Sequence, residues 1–230
     1  MIETHSLQKS FGAEPVVDNL SFVARDGVIT GLLGSNGAGK STTLRMICGV
    51  LKPDAGAIDA PHTGALLDHT GIYARLTVRE NLTYFGALHG IPQPRLNRRV
   101  DELIGMLGLD AIANRRTAGF SQGERMKTAL GRALVHSPRN LVLDEPTSGL
   151  DVPTVRSLHG FLKCMRDEGA CIVFSSHQME EVRTLCDNVV VISKGRLVGQ
   201  GSPEEICKGA NAASFEDAFV KMTAAWESSV

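Results

Sequence analysis

At 230 residues the chain suggests one or two domains and can bury a substantial core without disulfide staples. Hydrophobic residues make up 43% and charged residues 21%, which excludes a wholly disordered chain. With 24 Lys+Arg against 25 Asp+Glu, a net charge of −1 encodes no global attraction to nucleic acid, and only 5% aromatics argue against a base-stacking platform.

Ile2–Gln8 and Val16–Ala24 read as an antiparallel strand pair. Val28–Leu33 is an apolar run short enough for a buried strand, and a helical run, Thr42–Leu51, follows it after a glycine-rich segment. Residues of about 72–137 read as a mostly helical insertion, in which Leu96, Val100, Leu103, Ile104 and Leu107 share one helical face. Asn140–Asp144, Cys171–Ser176 and Asn188–Ser193 are further Val/Ile/Leu-rich strands. The helix between the first two of these places Val155, Leu158, Leu162 and Met165 on one face. Ser193-Lys194-Gly195-Arg196 predicts a hairpin turn, and Ser202-Pro203-Glu204-Glu205 a capped helix start. A last helix begins near Ser214 and carries Phe215, Ala218, Phe219, Met222 and Trp226 as a packed stripe. Strands alternating with helices predict an α/β fold with a mostly parallel sheet, here with an antiparallel β subdomain at the N-terminus and an inserted helical subdomain, all within a single domain, 1–230.

The five cysteines, Cys48, Cys164, Cys171, Cys186 and Cys207, are odd in number and lack CxxC spacing. Reduced thiols in a cytosolic protein fit better than a disulfide framework or zinc site. The opening Met1–His5 is not the start of a secretory signal, and no apolar run approaches the ~18 residues needed to span a bilayer. A role at a membrane therefore calls for another chain to supply the span.

The strongest chemical signal is Gly34-Ser35-Asn36-Gly37-Ala38-Gly39-Lys40-Ser41-Thr42, which fits the P-loop pattern between an apolar strand and a helix. Its glycines let backbone N–H groups turn inward around an anion, and the helix start adds its positive end. Lys40 supplies a charge for the β/γ-phosphates and the Ser41 hydroxyl a ligand for Mg²⁺. Together these imply nucleoside triphosphate binding. Leu141-Val142-Leu143-Asp144-Glu145 supplies the matching acidic strand end. Asp144 is placed to hold Mg²⁺, directly or through water, and Glu145 to polarise an attacking water.

Phe120-Ser121-Gln122-Gly123-Glu124, Leu141–Glu145, Pro146-Thr147-Ser148-Gly149-Leu150-Asp151 and Ser175-Ser176-His177 follow the P-loop in that order. With it they resemble the ATP-binding subunit of an ABC transporter, from about Ile2 to Ile206. The tracts Leu76–Leu82 and Pro146–Asp151, with the tail around Phe215–Phe219, are most similar to subunits of sodium and drug exporters, the ABC-2 type. The resemblance implies ATP and Mg²⁺ as cofactors and ATP hydrolysis coupled to transport. It makes Glu145 and His177 the catalytic pair, His177 as the switch histidine. Phe11 takes the adenine-stacking position. Ser121 and Gly123 belong to a signature motif that departs from the usual Leu-Ser-Gly-Gly-Gln at Phe120, Gln122 and Glu124. From the residues alone, Ser121 and Glu124 read as a helix cap and its capping-box partner. In the family the signature holds the γ-phosphate of the other subunit's ATP, so a second copy or a similar chain is implied, with Asp151 at the interface. Asp68 aligns with the Q-loop glutamine and remains able to reach the metal. Tyr73–Phe85 is the expected docking surface for a membrane-spanning subunit, and the location implied is cytoplasmic, peripheral on the cytoplasmic face of the membrane. Two other readings stand beside this one. A soluble ABC-type ATPase of nucleic acid, ribosome or cofactor assembly is disfavoured by the single cassette and near-zero charge. A non-hydrolysing nucleotide module is disfavoured by the presence of Glu145 and His177. No nucleic acid partner is expected.

Overall fold

The computed structural model describes residues 1–67 and 71–227, with backbone alone for 225–227. Two sheets form its frame. β1 (Ile2–Phe11) pairs antiparallel with β2 (Glu14–Ala24), as the sequence predicts, and on its other side with β4 (Ala55–Asp59), which the sequence reading does not anticipate. The second sheet has the order β5-β6-β7-β3-β8-β9, built from β3 (Val28–Leu33), β5 (Thr63–Leu66), β6 (Asn140–Asp144), β7 (Cys171–Ser176), β8 (Asn188–Ser193) and β9 (Arg196–Gly201). Its pairings are parallel except for the β8–β9 hairpin.

β3, β7 and β8 are buried on both faces over most of their length, which is why they read as continuous apolar runs. Successive residues feed opposite layers. Leu32, Val142, Val173, Val190 and Ile192 join Leu7, Leu20 and Phe22 of the antiparallel sheet in one core. Ile172, Phe174, Leu141, Leu143, Val189 and Val191 join the helices on the other face. Among the described residues Phe174 is the largest side chain with no exposure. Phe174→Ala should cost about 3–5 kcal/mol, through lost transfer energy plus the cavity left behind. A lower urea midpoint at unchanged slope would register that loss.

The helices are α1 (Lys40–Ile47), α2 (Val78–Leu88), α3 (Gln93–Met106), α4 (Gln122–Leu134), α5 (Val152–Asp167), α6 (Met179–Leu185), α7 (Pro203–Gly209) and α8 (Phe215–Glu227). α1 differs from the expected Thr42–Leu51 at both ends. It begins at Lys40 because Gly39 takes a left-handed turn (φ 101°) immediately before it. It ends at Ile47 because Gly49 (φ 69°) closes a Schellman motif, with Gly49 N–H donating to the Met46 carbonyl and Val50 N–H to that of Arg45. α4 ends at Leu134, with Val135 as its cap. Between β5 and β6 the chain forms α2, α3, a 3-10 turn at Asp110–Ile112, and α4, whose inner faces bury Leu82, Leu96, Val100, Leu103 and Leu130. In α8, Phe215, Ala218 and Phe219 are buried as predicted, whereas the Trp226 side chain lies outside the described residues. Cys171 and Cys186 are buried, and burial raises the Cys171 thiol pKa to about 11 and the half-buried Cys48 to about 12, so these are inert thiols at neutral pH.

Candidate active site

β6, β7 and β3 are consecutive neighbours, so their C-terminal ends open onto one edge. Register aligns Leu33 with Ser176 and Asp144 with Ser175. The glycine-rich loop after β3, the acidic pair after β6 and His177 after β7 therefore emerge side by side.

The loop lines a shallow cavity of about 160 Å³ with Asn36 through Thr42, Val16 and Glu145. Two glycines are required by close approach. A Cβ on Gly34 would stand 2.5 Å from the Ile192 carbonyl of β8, and one on Gly39 would stand 2.6 Å from the Val16 carbonyl. Val16 comes from the antiparallel sheet, which is tied to the loop through Gly195: Gly195 N–H donates to the Ala38 carbonyl, and Asp18 N–H to the Gly195 carbonyl. Sequence reasoning missed Val16, since nothing local marks a strand residue as the wall of a distant loop. Larger concavities, of about 490 and 510 Å³, lie at the N-terminal ends of β5 and β6, beside Arg139 and His62. They lie at the opposite strand ends from the glycine-rich loop, whereas ligands in open α/β sheets sit at the carboxyl ends of strands.

Lys40 is 5% exposed, and its ammonium donates to the carbonyls of Gly34 (2.7 Å) and Ser35 (3.2 Å). Burial lowers its pKa below the ordinary lysine range, while Glu145 and then Asp144 pull it back up. The two carboxylates are therefore close enough for their fields to be felt at the phosphate-binding lysine. Asp144 accepts a 2.6 Å hydrogen bond from the Ser175 hydroxyl, and that same hydroxyl accepts from the Glu145 N–H at 2.9 Å. Glu145 sits at φ 45°, a left-handed turn that brings the side chain out of the strand line, with its Oε2 3.1 Å from His177 Nδ1. The structure thus brings Lys40, Asp144, Glu145 and His177 together. The Ser41 hydroxyl and Asp144 carboxylate are hard oxygen donors, suited to Mg²⁺.

Ser121 caps α4 in the expected capping box: its Oγ accepts from Glu124 N–H (3.2 Å), and Glu124 Oε2 accepts from Ser121 N–H (2.8 Å). Arg115 pairs with Glu124 at 2.6 Å and lies over the Phe120 ring. Gln122, at a position where the family usually has glycine, donates to the Ser148 carbonyl at 2.7 Å, so it ties the start of α4 to the turn after Glu145. Neither Ser121 nor Gly123 lines the cradle or bonds to it. Asp151 caps α5 by accepting from Thr154 N–H, and the Thr154 side chain together with that N–H holds its carboxyl below the usual range. Phe11 is 55% exposed with the Lys9 ammonium over its ring, so it is not a core phenylalanine. Asp68 lies outside the described residues.

The sequence model of the ABC transporter family matches residues 17–148. The chain is 39% identical over 204 residues to the ABC transporter ATP-binding protein NatA of Bacillus subtilis, covering 83% of each chain. It is 35% identical over 219 residues to the Nod factor export ATP-binding protein I of Ralstonia nicotianae, covering 90% of this chain and 68% of that one. A solved ATP-binding subunit of an ABC transporter superposes with a TM-score of 0.88 at 27% identity, covering 97% and 99%. The chain belongs to the ABC transporter family. It is an ATPase cassette of that family, with the mostly parallel sheet, the antiparallel N-terminal sheet and the flanking helices of its structural relatives. Among the described residues of this ABC cassette, no helix is long and apolar enough to cross a membrane.

Proposed function

We propose that this cassette powers export through a separate membrane-spanning subunit, by ATP-driven head-to-tail pairing with a second copy or a similar chain. The observation that supports the reading is that the Ser121 helix end stands apart from the phosphate cradle on the same molecule. The cradle of about 160 Å³ is smaller than the roughly 300 Å³ at which ligand pockets begin, and Ser121 and Gly123 take no part in it. Ser121 nevertheless heads a 13-residue helix, and its hydroxyl donates to nothing among the described residues. A second copy laying that helix end over the triphosphate supplies the missing wall.

Within each half-site, the inward N–H groups of Gly34 through Thr42 and the Lys40 ammonium hold the phosphates. Ser41 and Asp144 would hold Mg²⁺, which would supply positive charge against the phosphates. Asp68 enters as a further metal contact through the family resemblance alone. Glu145 accepts the proton of the attacking water, and His177, 3.1 Å away, orients that carboxylate and the γ-phosphate. Contacts to the γ-phosphate from both copies exist only in the paired state, so binding closes the pair and hydrolysis releases it.

Tyr73, Tyr84 and Phe85 form an aromatic cluster with ring centroids 5.2–5.8 Å apart, and both tyrosines are more than two-fifths exposed. We take this face as the dock for the membrane subunit, which places the protein peripherally on the cytoplasmic face of the membrane. Export as the direction follows the relative named for Nod factor export. Purification from native membranes in mild detergent should bring down a multi-spanning membrane protein, and Tyr73→Ala with Tyr84→Ala should lose it. Ribosomal or RNA partners in its place would favour the soluble ABC-type ATPase.

Phe11 offers an open ring face to adenine. Stacking on an aromatic contributes about 1–3 kcal/mol per base, and so exposed a ring should sit near the lower limit. Phe11→Ala should therefore raise the Kd for ATP about fivefold, as read by calorimetric titration, and leave kcat near wild type.

A further inference from the structure

Glu181 is a carboxylate on the first turn of α6, where an acidic side chain ordinarily faces water. Here it is only 8% exposed and every neighbour it bonds to comes from a different segment. Its Oε2 accepts from the Thr147 hydroxyl at 3.0 Å and from the Ser176 hydroxyl at 2.8 Å. Its Oε1 lies 2.9 Å from His159 Nε2, on the second turn of α5. A carboxylate only accepts, so His159 donates through that nitrogen. Thr147 is two residues after Glu145 and Ser176 immediately precedes His177. The Ser176 oxygen also accepts from the Gln178 N–H at 3.0 Å, so the residues on both sides of His177 are fixed through it.

We infer that Glu181 is a positioning residue for ATP hydrolysis, which holds Glu145 and His177 at their working separation by clamping the chain beside each of them. The inference rests on the roles of Glu145 and His177 proposed above. Three features set this contact apart from ordinary core satisfaction. Both hydroxyls and the imidazole converge on one carboxylate, so removal frees three segments together. Thr147 and Ser176 are themselves at most 5% exposed, leaving water little access to replace the carboxylate. α5, capped by Asp151, carries His159, so the clamp also fixes the helix whose cap residue the dimer reading puts at the interface. A catalytic group displaced by about 1 Å can lose roughly 10²-fold in rate, whereas nothing in the clamp touches the nucleotide cradle.

The test is steady-state ATP hydrolysis by the full chain, with ATP binding measured separately. Glu181→Ala should lower kcat by about 10–100-fold and leave the KM and Kd for ATP within twofold. Glu181→Gln, whose amide oxygen still accepts both hydroxyls and whose nitrogen can donate to the other His159 tautomer, should bring kcat back to within threefold of wild type. A Glu181→Ala enzyme with kcat within threefold of wild type, or a kcat loss matched by an equal loss of ATP affinity, or an equal loss in Glu181→Gln, would overturn the inference. Should Glu181→Ala not fold, Thr147→Val and Ser176→Ala decide: a threefold or larger kcat loss at unchanged KM in either supports the clamp, and wild-type kcat in both overturns it. Glu145→Gln is run alongside. If it retains turnover, the catalytic reading falls and the clamp with it. If it loses turnover while Glu181→Ala does not, the clamp alone is wrong.

Discussion

Lys40→Ala should weaken ATP binding by about two orders of magnitude. Hydrogen bonds to charged groups contribute about 1.5–3 kcal/mol each, and every 1.4 kcal/mol is tenfold in affinity. The lysine also feels the fields of Glu145 and Asp144, which raise its pKa against the burial that lowers it. Without it, the cradle loses a positive charge that also offsets these carboxylates, so the loss exceeds that of a single deleted contact. The fold should survive. Among the described residues Nζ bonds to two carbonyls of its own loop, and α1 is set by Gly39 and the Gly49 turn rather than by the ammonium. Calorimetric titration with ATP checks the first statement and thermal unfolding the second. Near-wild-type affinity in a folded Lys40→Ala protein would remove the lysine from the phosphate site.

The central strands were legible because burial on both faces leaves a local mark. The stretches 28–33, 140–144, 171–176 and 188–193 are Val/Ile/Leu-rich runs, and the strands carry those bounds. β4 carries no such mark. Ala55–Asp59 has one partly buried large apolar residue, Ile58, and exists as a strand through its pairing with β1, a partner some fifty residues earlier in the chain. The boundaries of α1 moved because two glycines with positive φ set them, a signal that apolar periodicity does not contain.

The site divides the same way. A glycine-rich loop before a helix and an acid at the end of an apolar strand are contiguous in sequence, so their chemistry is written where it is used. Ser121 and Glu124 are three apart and their reciprocal bonds form as the spacing predicts. Glu181 is the opposite case. At a helix start it reads as an ordinary solvated acid, and its burial depends on Thr147 and His159, which lie 34 and 22 residues away. His159 likewise has no ligand spacing in sequence and gains its partner because α5 and α6 both pack against β3 and β7. Gln122 departs from the family's glycine, and only the fold shows the Ser148 carbonyl that it meets.

Glu145→Gln should leave ATP binding within twofold of wild type, cut turnover by about 10³-fold and accumulate an ATP-loaded dimer. General-base catalysis contributes typically 10²–10⁴-fold, and an amide cannot take up the proton that the water must lose. The substitution is otherwise conservative at this position. Both side chains carry the same Cβ, so the left-handed backbone at φ 45° is no more strained, and the N–H bond to the Ser175 hydroxyl is untouched. The amide still reaches His177. What changes at Lys40 is one of its two compensating carboxylates, and Asp144 remains. Arrested hydrolysis then separates the two halves of the proposed cycle. If the γ-phosphate bridges one cradle to the partner's Ser121 helix end, the arrested form must elute as a dimer with ATP and Mg²⁺ and as a monomer without nucleotide. Ser121→Arg placed on the same arrested background should abolish the dimer, since the added side chain occupies the space where the partner's phosphate would sit, while calorimetry shows ATP still bound to the monomer. Size-exclusion chromatography with light scattering reads the mass, and phosphate release reads the turnover. Turnover within threefold of wild type would take Glu145 out of its role. An arrested, ATP-saturated form that remained monomeric would leave the cradle's missing wall unexplained and return the problem to a site completed within one chain.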